Sequence, residues 1–283
     1  MTEIVLDHQQ VLTILPDRKA DAHKGDFGKI LLLCGSVGYT GAAYLSAMGA
    51  LRSGAGLVYL GVPESIYAIE AAKLNEAIVF PLPDEKGMLC RKALPKIMEL
   101  LPKMDGVLIG CGLGQSQGTL EVLSAVLTYA ECPVVVDADG INLLSKHKDL
   151  LRGRKATTVL TPHDGEFARL MGDKPSADRT QAAMAAAKDL GCVMLLKGHE
   201  TRICNGEVCY RNTTGNPGMA VGGSGDLLAG MIVSMLGQGM SAVEAAAVAA
   251  WLHGAAGDQC ARELGQYGML PTDMLCVLPR LMK

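Results

Sequence analysis

Asn216-Pro-Gly-Met-Ala-Val-Gly-Gly-Ser-Gly-Asp226 runs without a break into Leu227-Leu-Ala-Gly-Met-Ile-Val-Ser-Met-Leu236, which Gly237 closes. The first segment sets Gly218, Gly222, Gly223 and Gly225 ahead of an acid. The second is an apolar run that reads as a buried helix ending on a glycine C-cap. A glycine-rich loop entering a helix N-terminus presents unpaired backbone N–H groups and the positive end of the helix dipole, which together make an anion site. Glycine also lets the backbone approach a phosphate where a Cβ would collide. Asp226 stands where a transferring phosphoryl group would meet its acceptor hydroxyl. Taken alone, Asp226 also reads as a favoured first-turn residue of a helix. Four glycines in so short a stretch exceed what a cap requires.

Upstream of this loop, short β-type runs alternate with helical segments. Ile30–Cys34 precedes a helix over 42–53, Leu57–Leu60 one over 64–74, and Gly106–Ile109 one over 118–130. Pro133–Val136 precedes 139–145, Thr157–Leu160 precedes 164–171, and Val193–Leu196 follows an Ala-rich helix over 176–190. Arg202–Cys204 and Val208–Tyr210 flank Asn205-Gly206, a hairpin signal. Ser241-x-x-Glu244 reads as a capping box opening a helix over 241–262. Near-continuous apolar strands alternating with helices predict a mainly parallel sheet covered on both faces, a three-layer α-β-α sandwich. Pro81–Gly87 reads as a turn-rich loop, and the expected organisation is a single domain over 1–283.

Composition sets the outer bounds. The 283 residues are 49% hydrophobic and 19% charged, with 34 glycines and a formal net charge of -3. That balance leaves no electrostatic footprint for nucleic acid, and the longest apolar runs are too short to span a bilayer. The nine cysteines are odd in number and show no C-x-x-C spacing. With no signal-peptide pattern, they read as reduced thiols of a cytoplasmic protein. Cys204 and Cys209 read as packing residues.

In an open parallel sheet, ligands sit beyond the carboxyl ends of the strands. Those ends are rich in polar and glycine motifs: Gly35–Gly41, Gly110–Gly114, Asp137-Ala-Asp139 with Asn142, Thr161-Pro-His163 with Glu166, and Lys197–Thr201. None is a dinucleotide fingerprint and no P-loop is present. His163 is the best functional histidine of the six, with a solvated turn residue as its plain alternative. His253 reads as a satisfied core residue. Asp137 and Asp139 suit either Mg²⁺ held through water or a helix cap. Lys197 reads as a phosphate partner or an ordinary strand-end lysine.

Lys24-Gly-Asp-Phe-Gly28, Gly41-Ala-Ala, Ala50–Leu57, Gly110–Gly114, Asp137–Asp139, Thr161–Glu166, Lys197–Thr201 and Asn216–Asp226 follow one another over residues 20–230. In this combination the chain resembles the ADP-dependent (S)-NAD(P)H-hydrate dehydratases of the ribokinase-like superfamily. The resemblance implies a ribokinase-like fold and a hydro-lyase that restores NADH or NADPH from its hydrate, with ADP (or ATP) as co-substrate and Mg²⁺. It implies hydrate contacts at Ala42, Gly112, Gly114, His163 and Asp226, with Asp226 catalytic. Lys197, Gly198, His199, Glu200, Thr201, Gly222, Gly223 and Gly225 would hold the adenine nucleotide, and Glu166 would reach the metal through water. It also implies a homotetramer. The motifs begin near residue 24, so an epimerase acting on the same hydrate is expected on a separate chain. The family's usual prolines are replaced by Cys111 in the Gly110–Gly114 loop and by Asp164 after His163.

A chemical route fits these residues. Hydroxide is a poor leaving group and phosphate a good one, so phosphorylating the hydrate's hydroxyl would let the ring nitrogen expel phosphate. A loose phosphoryl-transfer transition state needs little base strength, so a carboxylate of ordinary pKa is expected at Asp226. Two rivals share the glycine loop: a small-alcohol kinase of the hydroxymethylpyrimidine or hydroxyethylthiazole type, and a non-catalytic dinucleotide-binding regulator. The second has no use for Asp226.

Overall fold

The computed structural model describes residues 3–283. In chain order the strands are β1 (Lys29–Leu33), β2 (Leu57–Pro63), β3 (Ile78–Leu82), β4 (Asp84–Glu85), β5 (Met88–Leu89), β6 (Gly106–Ile109), β7 (Val134–Val136), β8 (Thr158–Leu160), β9 (Val193–Leu196), β10 (Arg202–Cys204) and β11 (Cys209–Arg211). The helices are α1 (His8–Ile14), α2 (Thr40–Arg52), α3 (Glu64–Lys73), α4 (Leu94–Leu100), α5 (Gln117–Tyr129), α6 (Asp139–Leu144), α7 (Asp164–Met171), α8 (Arg179–Leu190), α9 (Ser224–Gly237), α10 (Ala242–Leu264) and α11 (Pro271–Leu281). Nine strands form one sheet in the order β11-β10-β9-β8-β7-β6-β1-β2-β3, with β4 and β5 in a separate hairpin. All pairings from β9 to β3 are parallel, and β10 alone runs antiparallel to its neighbours β9 and β11.

Alternate side chains of each strand feed two separate cores, as a sheet buried on both faces requires. Ile30, Leu32, Val58, Leu60, Leu108, Val135 and Val159 pack with α2, α9, α10 and α11. Leu31, Leu33, Val107, Ile109, Val134, Val136 and Leu160 pack with α5, α6, α7 and α8. This is the expected three-layer sandwich. The chain builds outward from β1 to β3, then returns to the other side of β1 at β6. The crevice between β1 and β6 is therefore the switch point where ligands bind in such sheets.

Helix α9 lies directly on α2. A Cβ at Gly230 would come 2.0 Å from the Ser46 carbonyl oxygen, and one at Gly49 would come 2.4 Å from that of Leu227. These two glycines set the backbone contact that brings the N-terminus of α9 over the strand ends.

Several local expectations change. Gly237 is the last residue of α9 and not its cap, which is Gln238. A Cβ at Gly237 would meet the Ile30 side chain at 2.7 Å, so this glycine serves packing against β1. Ser241 makes no side-chain cap bond, because its hydroxyl turns to the Glu244 carboxylate. Helix α8 starts at Arg179, capped by Asp178, which accepts the Gln181 N–H at 3.0 Å. The turn-rich segment 81–87 holds the end of edge strand β3 and the first half of the β4–β5 hairpin. Proline is tolerated at Pro81 because an edge strand has no ladder partner on one side. Cys204 and Cys209 are not free packing thiols: they face each other across the β10–β11 ladder and are joined in a disulfide. A pair facing across an antiparallel ladder brings its side chains close together, and here the Cα atoms are 4.2 Å apart. Among the described residues, no helix is long and apolar enough to cross a membrane.

Candidate active site

The loops that follow β1 and β6 interlock at the switch point. Gly35 N–H donates to the Cys111 carbonyl at 2.8 Å, and Ser36 Oγ donates to the Gly112 carbonyl at 2.8 Å. Gly112 has a φ of +59°, and a Cβ there would press on Ala42 and Tyr39 at 2.8 Å. Ala42 and Gly112 thus lie side by side. Gly114 N–H donates to Asp139 Oδ2 at 2.9 Å, and Gln115 Nε2 donates to Asp139 Oδ1 at 2.9 Å. Asp139 is therefore a brace for the Gly110–Gly114 loop, with neither a capping role nor a carboxylate oxygen free of protein donors. Between the two acids, Ala138 has a φ of +50°, a left-handed conformation that costs an L-residue of this kind about 1–3 kcal/mol. Such outliers gather at functional sites.

Asp226 is the third residue of α9 and Gly223, with a φ of +93°, is its N-cap. Gly223 needs its missing side chain, since a Cβ would strike Leu45 at 2.3 Å. Gly225 lies within the helix without positive φ, and a Cβ there would come 3.3 Å from Lys197 Nζ and 3.7 Å from Asp137 Oδ2. Its role is space beside two charges and not backbone strain. A Cβ at Gly222 would meet nothing within 4 Å, leaving its face of the loop open.

Under the glycine loop sits a charge cluster. Lys197 Nζ, at the end of β9, donates to Asp137 Oδ1 at 2.8 Å and stands 3.8 Å from Glu166 Oε2. Burial works against the lysine's charge, but the carboxylates of Asp137 and Glu166 outweigh it and hold Lys197 above its ordinary value. Cys111 Sγ donates to Asp137 Oδ2 at 3.9 Å, and donor atoms of Cys111, Asp137 and Asp226 lie within 4.8 Å of one another. The neighbouring Cys34 thiol, burial and the carboxylates push the Cys111 thiol well above its usual range. Asp226 is raised to about 6, first by burial and then by the charge of Asp137. The expectation of an ordinary carboxylate at Asp226 is therefore corrected, because a helix N-terminus alone does not offset burial and a second acid close by.

His163 is exposed, as a turn residue would be, but it also has a structural task. Its Nδ1 accepts the N–H groups of Gly165 at 3.0 Å and Glu166 at 3.3 Å, which makes it the cap of α7. Its own N–H donates to Glu166 Oε2 at 2.9 Å. Glu166 is 4% exposed, with one oxygen shared between that N–H and Lys197. The other oxygen, 3.5 Å from His163 Nε2, is the one left for a metal-bound water. A hard, fully oxygen-bound ion such as Mg²⁺ fits there through water. The Cys111–Asp137–Asp226 group does not suit it, with a protonated thiol and one acid already paired to Lys197.

In the Lys197–Thr201 loop the five residues diverge. Lys197 joins the cluster, while Gly198 and His199 are exposed. Glu200 turns back to Arg202 and Arg211, and Thr201 Oγ1 donates to the Gly198 carbonyl at 3.0 Å. Two features escaped the sequence. The Lys197–Asp137 pair joins residues sixty positions apart, and no local pattern marks it. His253, read as core, places Nε2 3.4 Å from Ser224 Oγ at the start of α9, and burial lowers it to about 4. Its place in the Ala-rich α10 gave no signal.

Comparison with known proteins agrees with this geometry. A family model described as NAD(P)H-hydrate dehydratase matches residues 30–280. The chain is 44% identical over 275 residues to the bifunctional NAD(P)H-hydrate repair enzyme of Moorella thermoacetica, covering 95% of this chain and 52% of that one. It thus spans about half the length of the bifunctional relatives it matches. It is 37% identical to the ADP-dependent (S)-NAD(P)H-hydrate dehydratase of Nitrosopumilus maritimus, covering 96% of this chain and 94% of that one. The crystal structure of the ADP/ATP-dependent NAD(P)H-hydrate dehydratase from Bacillus subtilis, co-crystallised with ATP and Mg²⁺, superposes with a TM-score of 0.84 at 32% identity, covering 97% and 96% of the two chains. Arabidopsis thaliana ribokinase, at 15% identity and a TM-score of 0.61, shares the fold alone. By sequence, fold and the interlocked loops at its switch point, the chain belongs to the NAD(P)H-hydrate dehydratase family.

Proposed function

We propose that this chain is a nucleotide-dependent dehydratase acting on the S epimer of hydrated NADH or NADPH, with ADP preferred and converted to AMP. One observation carries the reading: Asp226, held near pKa 6, stands in the first turn of α9 directly behind the glycine loop and beside the Lys197–Asp137 pair. The names of the relatives support it.

The hydrate lies along Ala42, Gly112, Gly114 and His163, with its hydroxyl on Asp226. The nucleotide's terminal phosphate rests on the amides of Gly222, Gly223 and Gly225 at the N-terminus of α9, where the helix dipole favours the anion. Asp226 orients the hydroxyl and takes its proton as the oxygen–phosphorus bond forms. The amides stabilise charge on the transferring group. The ring nitrogen then expels phosphate with the electron pair of the carbon–oxygen bond, and loss of the neighbouring ring proton restores the reduced nicotinamide. Bound Mg²⁺ would neutralise the nucleotide phosphates, and Glu166 is the carboxylate that would hold it through water. On the same reading residues 1–283 act as one dehydratase domain, in the cytoplasm and as a homotetramer, alongside an epimerase for the hydrate.

The test supplies chemically hydrated NADH with Mg²⁺ and ADP or ATP. The absorbance of the reduced nicotinamide should recover, one phosphate should be released per cofactor, and the other epimer should remain. Recovery without nucleotide overturns the phosphorylation route. No recovery, together with stable phosphorylation of a thiazole or pyrimidine alcohol, moves the protein to the kinase class.

A further inference from the structure

Arg202 and Arg211 face each other across the β10–β11 ladder. Like charges directly opposite destabilise a hairpin, so this pair needs a counterion. Two carboxylates supply it from outside the hairpin strands. Glu3 Oε1 lies 2.9 Å from Arg202 Nε, and Glu3 Oε2 lies 2.9 Å from Arg211 Nε. Glu200 Oε1 accepts from Arg211 Nη1 at 2.8 Å, and Arg202 donates to the Glu200 carbonyl.

Glu200 is the residue of the Lys197–Thr201 loop that carries backbone strain, with a φ of +52°. A non-glycine residue stays in that conformation only where its surroundings over-determine it. Here the two arginines do so, gripping both its carbonyl and its carboxylate. The other end of the loop is held in the same manner, since Arg179 Nη2 donates to the Lys197 carbonyl at 2.8 Å.

Glu3 owes its position to the sheet edge. Ile4 N–H donates to the Cys209 carbonyl at 3.0 Å, and Arg211 N–H donates to the Ile4 carbonyl at 2.8 Å. The N-terminal segment thus pairs with β11 as a short parallel addition. From there the Glu3 carboxylate also accepts from Thr180 Oγ1 on α8, and Arg202 Nε donates to the same hydroxyl at 2.8 Å. The Thr180 hydrogen bond and the two arginines hold Glu3 below the usual carboxylate range, so it is a stable anion at neutral pH. With 23% of its side chain exposed, the charge is only partly screened.

We propose that Glu3 is a positioning residue for the adenine nucleotide: clamped on Arg202 and Arg211, it preorganises the Lys197–Thr201 loop through Glu200. This rests on the reading of that loop as a nucleotide site. Glu3 touches neither substrate nor nucleotide and acts through the arginines. Preorganisation lowers the ordering cost of binding, so its loss appears in affinity and not in the chemical step.

The experiment compares the full chain with Glu3→Gln, which keeps shape and removes charge, and with Thr180→Val, which removes the shared hydroxyl. For each, the Kd of ADP with Mg²⁺ is measured by calorimetry, kcat and KM with hydrated NADH, Tm, and backbone amide exchange at residues 198–202. Glu3→Gln should weaken ADP about 3- to 10-fold with kcat within about twofold, and should speed exchange across the loop. Thr180→Val should move the same readouts by a smaller factor. Unchanged ADP affinity and exchange in both folded variants overturns the proposal, as does a fall in Tm without a change in Kd. Gly198→Val tests the underlying reading separately. If it folds and binds ADP as the parent does, the loop is not the nucleotide site and the clamp falls with it. If it abolishes binding while Glu3→Gln does not weaken it, the loop reading stands and the clamp alone is wrong.

Discussion

Lys197 Nζ stands 2.8 Å from Asp137 Oδ1, and a methyl group placed on Gly225 would come 3.3 Å from the same nitrogen. The end of β9, the end of β7 and the first turn of α9 therefore meet at one cation. Asp226 is the acid next to that meeting point, and its properties follow from it.

Asp226→Asn removes the proton acceptor and keeps a side chain suited to a helix N-terminus. Turnover should fall at least about a hundredfold, while nucleotide affinity changes little. Steady-state kinetics beside calorimetric titration with ADP checks this. Turnover within a few-fold of the parent would leave Asp226 as a helix residue only.

The raised value of Asp226 sets a pH dependence. The carboxylate must be ionised to accept a proton, so kcat/KM should rise with pH through about 6. Stability runs the other way. Between 3.8 and about 6 the unfolded chain has released a proton that the folded chain still holds, so this group's contribution declines as pH rises through that window. Above it, Asp226→Asn should be more stable than the parent by roughly 1–2 kcal/mol after allowance for partial exposure. Denaturant titrations of both proteins at pH 4 and pH 7.5 should show the gap opening in the variant's favour.

Cys111→Ala removes a thiol that lies beside both Asp137 and Asp226 and that lowers Asp226. The acid limb of kcat/KM should therefore move to higher pH. A pH–rate profile that superposes on the parent's would exclude the thiol from tuning Asp226.

Lys197→Met leaves Asp137 and Glu166 without their shared cation. Breaking a buried ion pair from one side costs about 3–5 kcal/mol, and the lysine's partial exposure brings the expectation to roughly 2–3 kcal/mol. ADP affinity should also drop at least about tenfold, since a phosphate would lose its nearest point charge. Thermal unfolding with and without ADP measures both effects.

Gly225→Val puts a branched Cβ 3.3 Å from Lys197 Nζ and 3.7 Å from Asp137 Oδ2. Because the helix accepts a side chain at this position, the fold should persist while ADP no longer raises Tm. An unchanged ADP-induced shift would mean that phosphate binds elsewhere.

The strand positions, the parallel sheet and the strand-end loops were legible because each rests on local chemistry. Ile30-Leu-Leu-Leu33 is apolar on both faces only if both faces are covered, and Gly222-Gly-Ser-Gly225 ahead of Asp226 suits a helix start approached by an anion. Resemblance alone singled out Ala42 and Gly112, and the structure sets them side by side. Expectations failed where a second contact outcompeted the one the local pattern suggests. Gly237 looked like a cap and serves packing on Ile30, and the Ser241 hydroxyl found the Glu244 carboxylate before any backbone N–H.

The residue types at the strand ends, and hence the kind of chemistry available, are properties of the chain's order of amino acids. The state of those residues is not. Asp226 reaches about 6 because α9 settles against α2 through Gly230 and Gly49 and so buries it, beside Asp137. Lys197 keeps its charge because two acids from separate strand ends surround it. Electrostatic coupling depends on distance through space and on exclusion of water, and both arise only when segments far apart in sequence pack together.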